Sequence, residues 1–301
     1  MAKPPERPSG SRSAWPPAAC STRWPPSARQ VSLTRTPQSS RRRSVPILGG
    51  ALIALEFLTP LRLRRVQTYE DRTFAEALGW YPFIGLLIGL CLCALDRGLS
   101  ELLPPVPTAV LLVAFLALAS GGLHLDGIAD TADGMAVQGD RARRLGVMSE
   151  GNTGPAGVMA LLFILMAEWA AIVSLDGTIR GPALIIAPAL GRWAVVPVGL
   201  IFKPARPRGL GHAMQTAMLP IAAPLATVIG AGAAIVLFGV AGIILIIAAT
   251  VAALLIAALA ARMLDGVTGD VFGAAIEVAQ VVVWLSLVAA GMHGWTEPLV
   301  G

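Results

Sequence analysis

Three aspartates, Asp126, Asp130 and Asp133, stand within GGLHLDGIADTADG at residues 121–134. Their spacings are i+4 and i+3. On a helix, at about 100° per residue, they fall within roughly 60° of arc on one face. Carboxylates gathered in this way repel one another and weaken a helix unless a cation lies between them. The ligand set is hard oxygen throughout, which suits Mg²⁺, an ion that takes one or two carboxylates and fills its shell with water and substrate phosphate. The competing reading is a solvated acidic face on a loop. Against it, apolar sequence closes in on the N-terminal side, where charge near a bilayer is costly. His124 stands two residues before the first aspartate, and either it or one of the carboxylates could take a proton.

Other polar residues fall in three further groups. The stretch QGDRARRLGVMSEGNTGPAG follows directly, and its Arg141, Arg143 and Arg144 offer guanidinium forks matched to phosphate oxygens. Glu150, Asn152 and Thr153 precede Gly154-Pro155, a helix start, and serve either as caps or as ligands. The second group is KPARPRGLGHAMQ at 203–215, where Lys203, Arg206 and Arg208 alternate with glycines in a loop suited to an anion. Its His212 reads as structural. The third is MLDGVTGDVFG followed by AAIEVAQ, holding Asp265, Asp270 and Glu277. Glu277 lies inside an apolar run, where an ionisable group is a functional hypothesis by default. Glu168 and Arg192 lie in other apolar runs and either snorkel or pair with each other. For the basic groups the competing reading is topogenic charge with no ligand.

The elements that position these residues are membrane helices. The chain has 301 residues, 55% of them hydrophobic and only 14% charged, which is membrane-protein composition. Residues 1–45 contribute +8 of charge and leave −3 for the remainder of a chain whose net is +5, so nucleic acid is excluded as a partner. Cys20, Cys91 and Cys93 show neither disulfide nor metal spacing. The Pro-, Ser- and Arg-rich segment 1–45 has too little apolar surface to offset ordering entropy and reads as a disordered tail, leaving 46–301 as one membrane-embedded catalytic domain. Ile47–Thr59 is too short to span and reads as an interfacial or re-entrant helix. Seven apolar runs follow near 74–95, 106–123, 155–175, 181–202, 216–238, 240–262 and 272–293, each close to the roughly 20 residues that a crossing needs. The fold class is therefore all-α, a polytopic helical bundle of about seven spans. Gly85-x-x-x-Gly89 marks a close helix contact. If every run crosses, the loops at 60–73, 124–154, 203–215 and 263–271 share one side and carry ten Lys and Arg, against Arg97 and Arg180 opposite. The positive-inside rule puts the first side, with nearly all polar motifs, in the cytoplasm.

The block H-x-D-G-x-A-D-T-x-D-G resembles the signature of the cobalamin synthase family, the adenosylcobinamide-GDP ribazoletransferases. FLTPLRLR (57–64), WYPFIGLLIG (80–89), ARPRGLG (205–211) and DGVTGDVFGAAIE (265–277) are similar to the family's other motifs and follow its order. The resemblance implies a multi-pass enzyme of the cell (inner) membrane with its active site on the cytoplasmic face. It would join α-ribazole, or its 5′-phosphate, to adenosylcobinamide-GDP and release GMP with Mg²⁺. On this reading His124, Asp126, Asp130 and Asp133 are catalytic, and the three aspartates hold the metal. Arg141, Arg144, Glu150, Asn152, Lys203, Arg206, Arg208, Asp270 and Glu277 would bind substrate. Lipid is the other partner, and a homo-oligomer is left open. One departure stands out: the family commonly has an acidic and a basic residue before the counterpart of Gly154, whereas SEGNTG holds Glu150 and Asn152 and no Arg or Lys. The alternatives are a CDP-alcohol phosphotransferase-like lipid enzyme, whose D-x-x-D-G start is present without its continuation, and a cation-coupled transporter.

Removing residues 1–40 is expected to leave turnover intact, because the tail lies outside every motif. Loss of turnover in a truncated protein that still inserts normally would give the tail a role.

Overall fold

The computed structural model describes residues 47–63, 77–175, 177–216 and 222–293. The tail assigned to residues 1–45 and most of the loop 60–73 lie outside these. Among the described residues the secondary structure is helical: α1 (Ile47–Leu58), α2 (Tyr81–Ser100), α3 (Pro105–Ala119), α4 (Leu123–Ala136), α5 (Arg141–Val147), α6 (Pro155–Ser174), α7 (Gly177–Trp193), α8 (Val195–Ile201), α9 (Leu210–Thr216), α10 (Ala222–Phe238), α11 (Val240–Leu264) and α12 (Gly269–Met292).

Five segments are long and apolar enough to cross a membrane: α2, α6, α7 continued by α8, α11 and α12. The expected run at 106–123 is not a straight span. α3 stops at Ala119, Gly121 and Gly122 both take left-handed backbone with φ of 58° and 72°, and α4 leaves at 87° to α3. That conformation suits glycine because no Cβ meets the neighbouring carbonyl. The run at 216–238 gives the 17-residue α10, roughly 25 Å long. The expected seven crossings are reached only if the bent pair α3–α4 and α10 are both counted. α1 is short, as expected, and its Phe57 stacks on Tyr81 of α2.

α7 and α12 form the interior, whereas α6, α10 and α11 turn apolar faces outward, with Phe163 and Val228 each 72% exposed. Large apolar side chains in this position match a surface meant for acyl chains. Close packing follows the small residues. A Cβ at Gly85 would strike the backbone of Pro188 and Ala189, and one at Gly89 the backbone of Ile185, so the Gly85-x-x-x-Gly89 stretch is where α2 meets α7. Trp284 of α12 is buried against α7 and donates from Nε1 to the Ala183 carbonyl at 3.0 Å.

The three polar loops gather at one end of the bundle and are tied to each other. Residues 203–205 pair with Val267 through Ala205 N–H to Val267 O and Val267 N–H to Lys203 O, both 2.9 Å. Arg141 reaches from the α4–α5 side to the carbonyls of Leu264 and Ala205. Arg206 reaches back to Leu145 O at 2.9 Å and Ser149 Oγ at 2.8 Å. Elsewhere Asp96 grips Arg180 through both carboxylate oxygens at 2.8–3.0 Å. Arg180 is one of the two basic residues assigned to the side opposite the polar loops.

Both Asp140 and Pro207 are exposed on these loops. A cysteine placed at either position is expected to resist a membrane-impermeant maleimide added to intact cells and to react after permeabilisation. Labelling from outside would put the polar end on the other face.

Candidate active site

The site is built where α4 crosses α12. A Cβ at Gly127 would fall on the Asp270 carbonyl and the Gly273 Cα, so the two backbones come this close because residue 127 is glycine. The approach seats His124 beside Glu277, with Nδ1 3.2 Å from Oε1 and both side chains buried. With Glu277 ionised, the hydrogen-bond pattern assigns the ring proton to Nδ1 and leaves Nε2 as an acceptor. Nε2 has no partner among the described residues. His124 also borders a cleft, of about 430 Å³ counting the part open to solvent, whose polar wall includes Asp126 and Asp270.

Behind His124 the polar chain continues into the bundle. The Gln280 amide donates to Glu277 Oε2 at 3.1 Å and to Glu168 Oε1 at 2.9 Å, and its carbonyl accepts from Arg192 at 3.1 Å. All four residues are buried. Glu168 and Arg192 therefore neither snorkel nor bond directly: Gln280 joins them. Each of these charged groups has at least one partner, which lowers the cost of burying it, although Arg192 Nε and Nη2 have none among the described residues. The sequence reading passed over Gln280, although an amide three residues after Glu277 in an apolar helix is itself a signal.

The three aspartates part company. Asp126 is exposed at the cleft and Asp130 is buried. Asp133 points to the start of α6, where Oδ2 accepts from Gly154 N–H at 2.6 Å and Oδ1 from Gly157 N–H at 2.8 Å. A side chain on either glycine would displace that carboxylate. Asp133 thus serves a helix N-terminus, where backbone N–H groups and the dipole both favour an anion. Asp270 of α12 borders the same cleft as Asp126. Asp126, Asp270 and Asp133 all bear on Asp130 electrostatically, with Arg206 as the opposing charge. Among the described residues, no three His, Cys, Asp or Glu are already gathered around a metal position. The donors nonetheless fit Mg²⁺, since they are carboxylates crowded with little compensation and the ion needs only one or two of them besides water and phosphate.

The basic residues also divide. Arg206 and Arg208 line a second lobe with Gly209, Gly211, His212 and Thr268, and this lobe shares Gly269 and Asp270 with the first. Arg141 and Arg144, expected at phosphate, are turned to backbone carbonyls. Arg141 ties loops together as described, and Arg144 donates to Met135 O at 2.7 Å and Gly134 O at 3.2 Å, at the C-terminal end of α4. Lys203 pairs with Asp265 at 2.7 Å, which holds that carboxyl below its usual range. Glu150 and Asn152 are exposed in the loop before α6. Asp140 caps α5, accepting from Arg143 N–H at 2.9 Å.

The family model described as cobalamin-5-phosphate synthase matches residues 50–288. The chain is similar to the adenosylcobinamide-GDP ribazoletransferase of Pseudomonas paraeruginosa, 37% identical over 243 residues that cover 80% of this chain and 98% of that protein. The protein of the same name from Pseudomonas aeruginosa is also 37% identical, with the same coverage. That of Roseiflexus sp. is 34% identical over 234 residues, 78% of this chain and 87% of the relative. No solved structure matches the chain.

Replacing Asp133 by Asn puts an amide where two N–H donors converge and removes the charge facing the helix end. The Asp133→Asn protein is expected to lose about 1–2 kcal/mol of stability, read as a lower unfolding temperature in detergent. Asp140→Asn should change little, because Asn caps as well as Asp. Equal stability for the two variants would refute the role given to Asp133.

Proposed function

The chain belongs to the cobalamin-5-phosphate synthase family and is a transferase of cobalamin biosynthesis embedded in a membrane by several helices; from this we propose that it joins α-ribazole, or its 5′-phosphate, to adenosylcobinamide-GDP and releases GMP. The observation that carries the reading is the two-lobed cleft. His124 and Asp126 border one lobe, Arg206 and Arg208 the other, and Asp270 lies in the wall common to both. A diphosphate ester being attacked by a hydroxyl needs this combination, a proton acceptor beside the nucleophile and positive charge along the phosphates.

A ribose hydroxyl of the nucleoside attacks the phosphorus nearer the cobinamide. The new P–O bond forms as the bond from that phosphorus to the bridging oxygen breaks, and GMP leaves with the bridging oxygen. His124 Nε2 takes the hydroxyl proton. Glu277 holds the imidazole in the accepting tautomer and offsets the charge it gains, while Gln280 keeps Glu277 in place. Arg206 and Arg208 hold phosphate oxygens of the GDP portion. Asp126, Asp130 and Asp270 would hold Mg²⁺, which when bound supplies neutralisation of the diphosphate charge. We place the cleft on the cytoplasmic face of the cell membrane, on the strength of its basic loops and the water-soluble nature of nucleotide-like substrates.

The test is incubation of detergent-solubilised full-length protein with both substrates, with and without Mg²⁺, following GMP. Mg²⁺-dependent release requiring the nucleoside is expected, and its absence would remove the reading. Asp126→Asn and Asp130→Asn should each lower turnover by at least about a hundredfold, the scale of losing one strong electrostatic contact in a transition state. Arg208→Gln should act mainly through KM for adenosylcobinamide-GDP. Near-normal turnover and Mg²⁺ dependence in Asp130→Asn would place the cation elsewhere.

A further inference from the structure

One wall of the first lobe has no use for phosphate, metal or ribose. Phe57, Leu58, Tyr81, Met214, Phe272 and Ile276 border the same space as His124 and Asp126. Phe57 and Tyr81 lie nearly parallel, with ring centroids 6.0 Å apart and planes 14° apart. They come from FLTPLRLR and WYPFIGLLIG, two stretches to which the reaction as derived gives no task. Within this apolar wall one polar atom is unaccounted for. The Tyr81 hydroxyl is buried, and it has no hydrogen-bond partner among the described residues. Buried hydroxyls are normally paired, and leaving one unpaired costs stability that a phenylalanine would not incur. A donor held in this state beside a cleft points to a ligand that completes it.

We propose that this wall is the subsite for the heterocyclic base of the nucleoside acceptor, a flat uncharged bicycle of the benzimidazole class, and that the Tyr81 hydroxyl donates to its free ring nitrogen. The proposal rests on the transferase reading above and deepens it. Once one nitrogen of a benzimidazole carries the ribose, the ring has two apolar faces, apolar edges and a single lone-pair nitrogen. Aromatic and aliphatic side chains meet its faces, the thioether of Met214 adapts to its edge, and one donor satisfies its one polar atom. With the base on this wall, the ribose lies toward His124 and Asp126 and the phosphates lie past Asp270 toward Arg206 and Arg208. A purine would bring several polar edge atoms to a wall with one donor, leaving the rest unpaired.

The experiment compares α-ribazole with its indole counterpart, in which a C–H replaces the free ring nitrogen, using full-length protein in detergent with adenosylcobinamide-GDP. Wild-type protein is expected to prefer α-ribazole by about tenfold in kcat/KM, carried by KM, the scale of one buried hydrogen bond. Tyr81→Phe should bring α-ribazole down to the indole value and leave the indole value unchanged. Phe57→Leu should raise KM for both nucleosides by a similar factor and keep the preference. Equal use of both by wild-type protein, a preference surviving in Tyr81→Phe, or an equal loss on both in that variant would each overturn the subsite while leaving the transferase reading standing. Turnover of neither nucleoside by wild-type protein would instead remove the transferase reading, and the subsite with it. If Tyr81→Phe fails to fold, the wild-type comparison and Phe57→Leu decide the matter.

Discussion

The contact between His124 and Glu277 is the join on which the rest of this molecule depends. It pairs two ionisable side chains inside a bundle whose core is mostly Leu, Ile, Val and Ala. Neither could stay there alone, because an unpaired charge in such surroundings is driven out or neutralised. The pairing requires α4 and α12 to touch backbone to backbone, which Gly127 permits. It also requires Glu277 to be held on its far side, which Gln280 does in concert with Glu168 and Arg192. Connectivity offsets the cost of the arrangement in part: Arg192 bonds through Nη1 alone, and its Nε and Nη2 have no partner among the described residues. What results is a histidine fixed in one orientation at the edge of a cleft, and fixed orientation is what proton transfer needs.

A second constraint acts at the polar end. Helix ends leave carbonyls and N–H groups without intrahelical partners, and several charged residues of the loops are spent on them. Arg144 serves the end of α4, Arg141 the end of α11 and Asp133 the start of α6. These contacts splice the loops into one rim. Arg206, by contrast, both joins the rim and borders the cleft. Rigidity of the rim and charge in the cleft therefore share residues, so the loops act as one unit.

Much of this was legible in the sequence. Apolar runs and the charge bias between loops gave a helical membrane bundle with its polar motifs at one end, and the motif order gave the family. Spacing alone could not tell Asp133 from Asp126. All three aspartates do share a face of α4, but that face meets α6 at one end and α12 at the other, and periodicity says nothing about what a face meets. Asp270 reached the cluster through a contact far apart in sequence. Arg141 and Arg144 have the composition of phosphate ligands, yet carbonyls at helix ends compete for the same guanidinium geometry. The 106–123 run failed as a straight span because hydropathy averages over Gly121 and Gly122, whose backbone turns the chain. Gln280 and Tyr81 escaped notice because a single uncharged polar residue barely disturbs an apolar pattern.

The crossing of α4 with α12 joins parts of the chain that are made at different times. α4 leaves the ribosome long before α12, and the residues that meet across their crossing are 153 positions apart. At 5–20 residues per second, that interval is roughly 8–30 s. During it His124 waits for Glu277, and the hydrophobic face of α4 lacks the surface it is shaped for. Late in this interval a nascent chain has Asp126, Asp130, Arg206 and Arg208, yet neither Asp270 nor Glu277. Arrival of α12 brings Glu277 to His124 and Asp270 to the cleft wall beside Asp126, and until then the centre is incomplete.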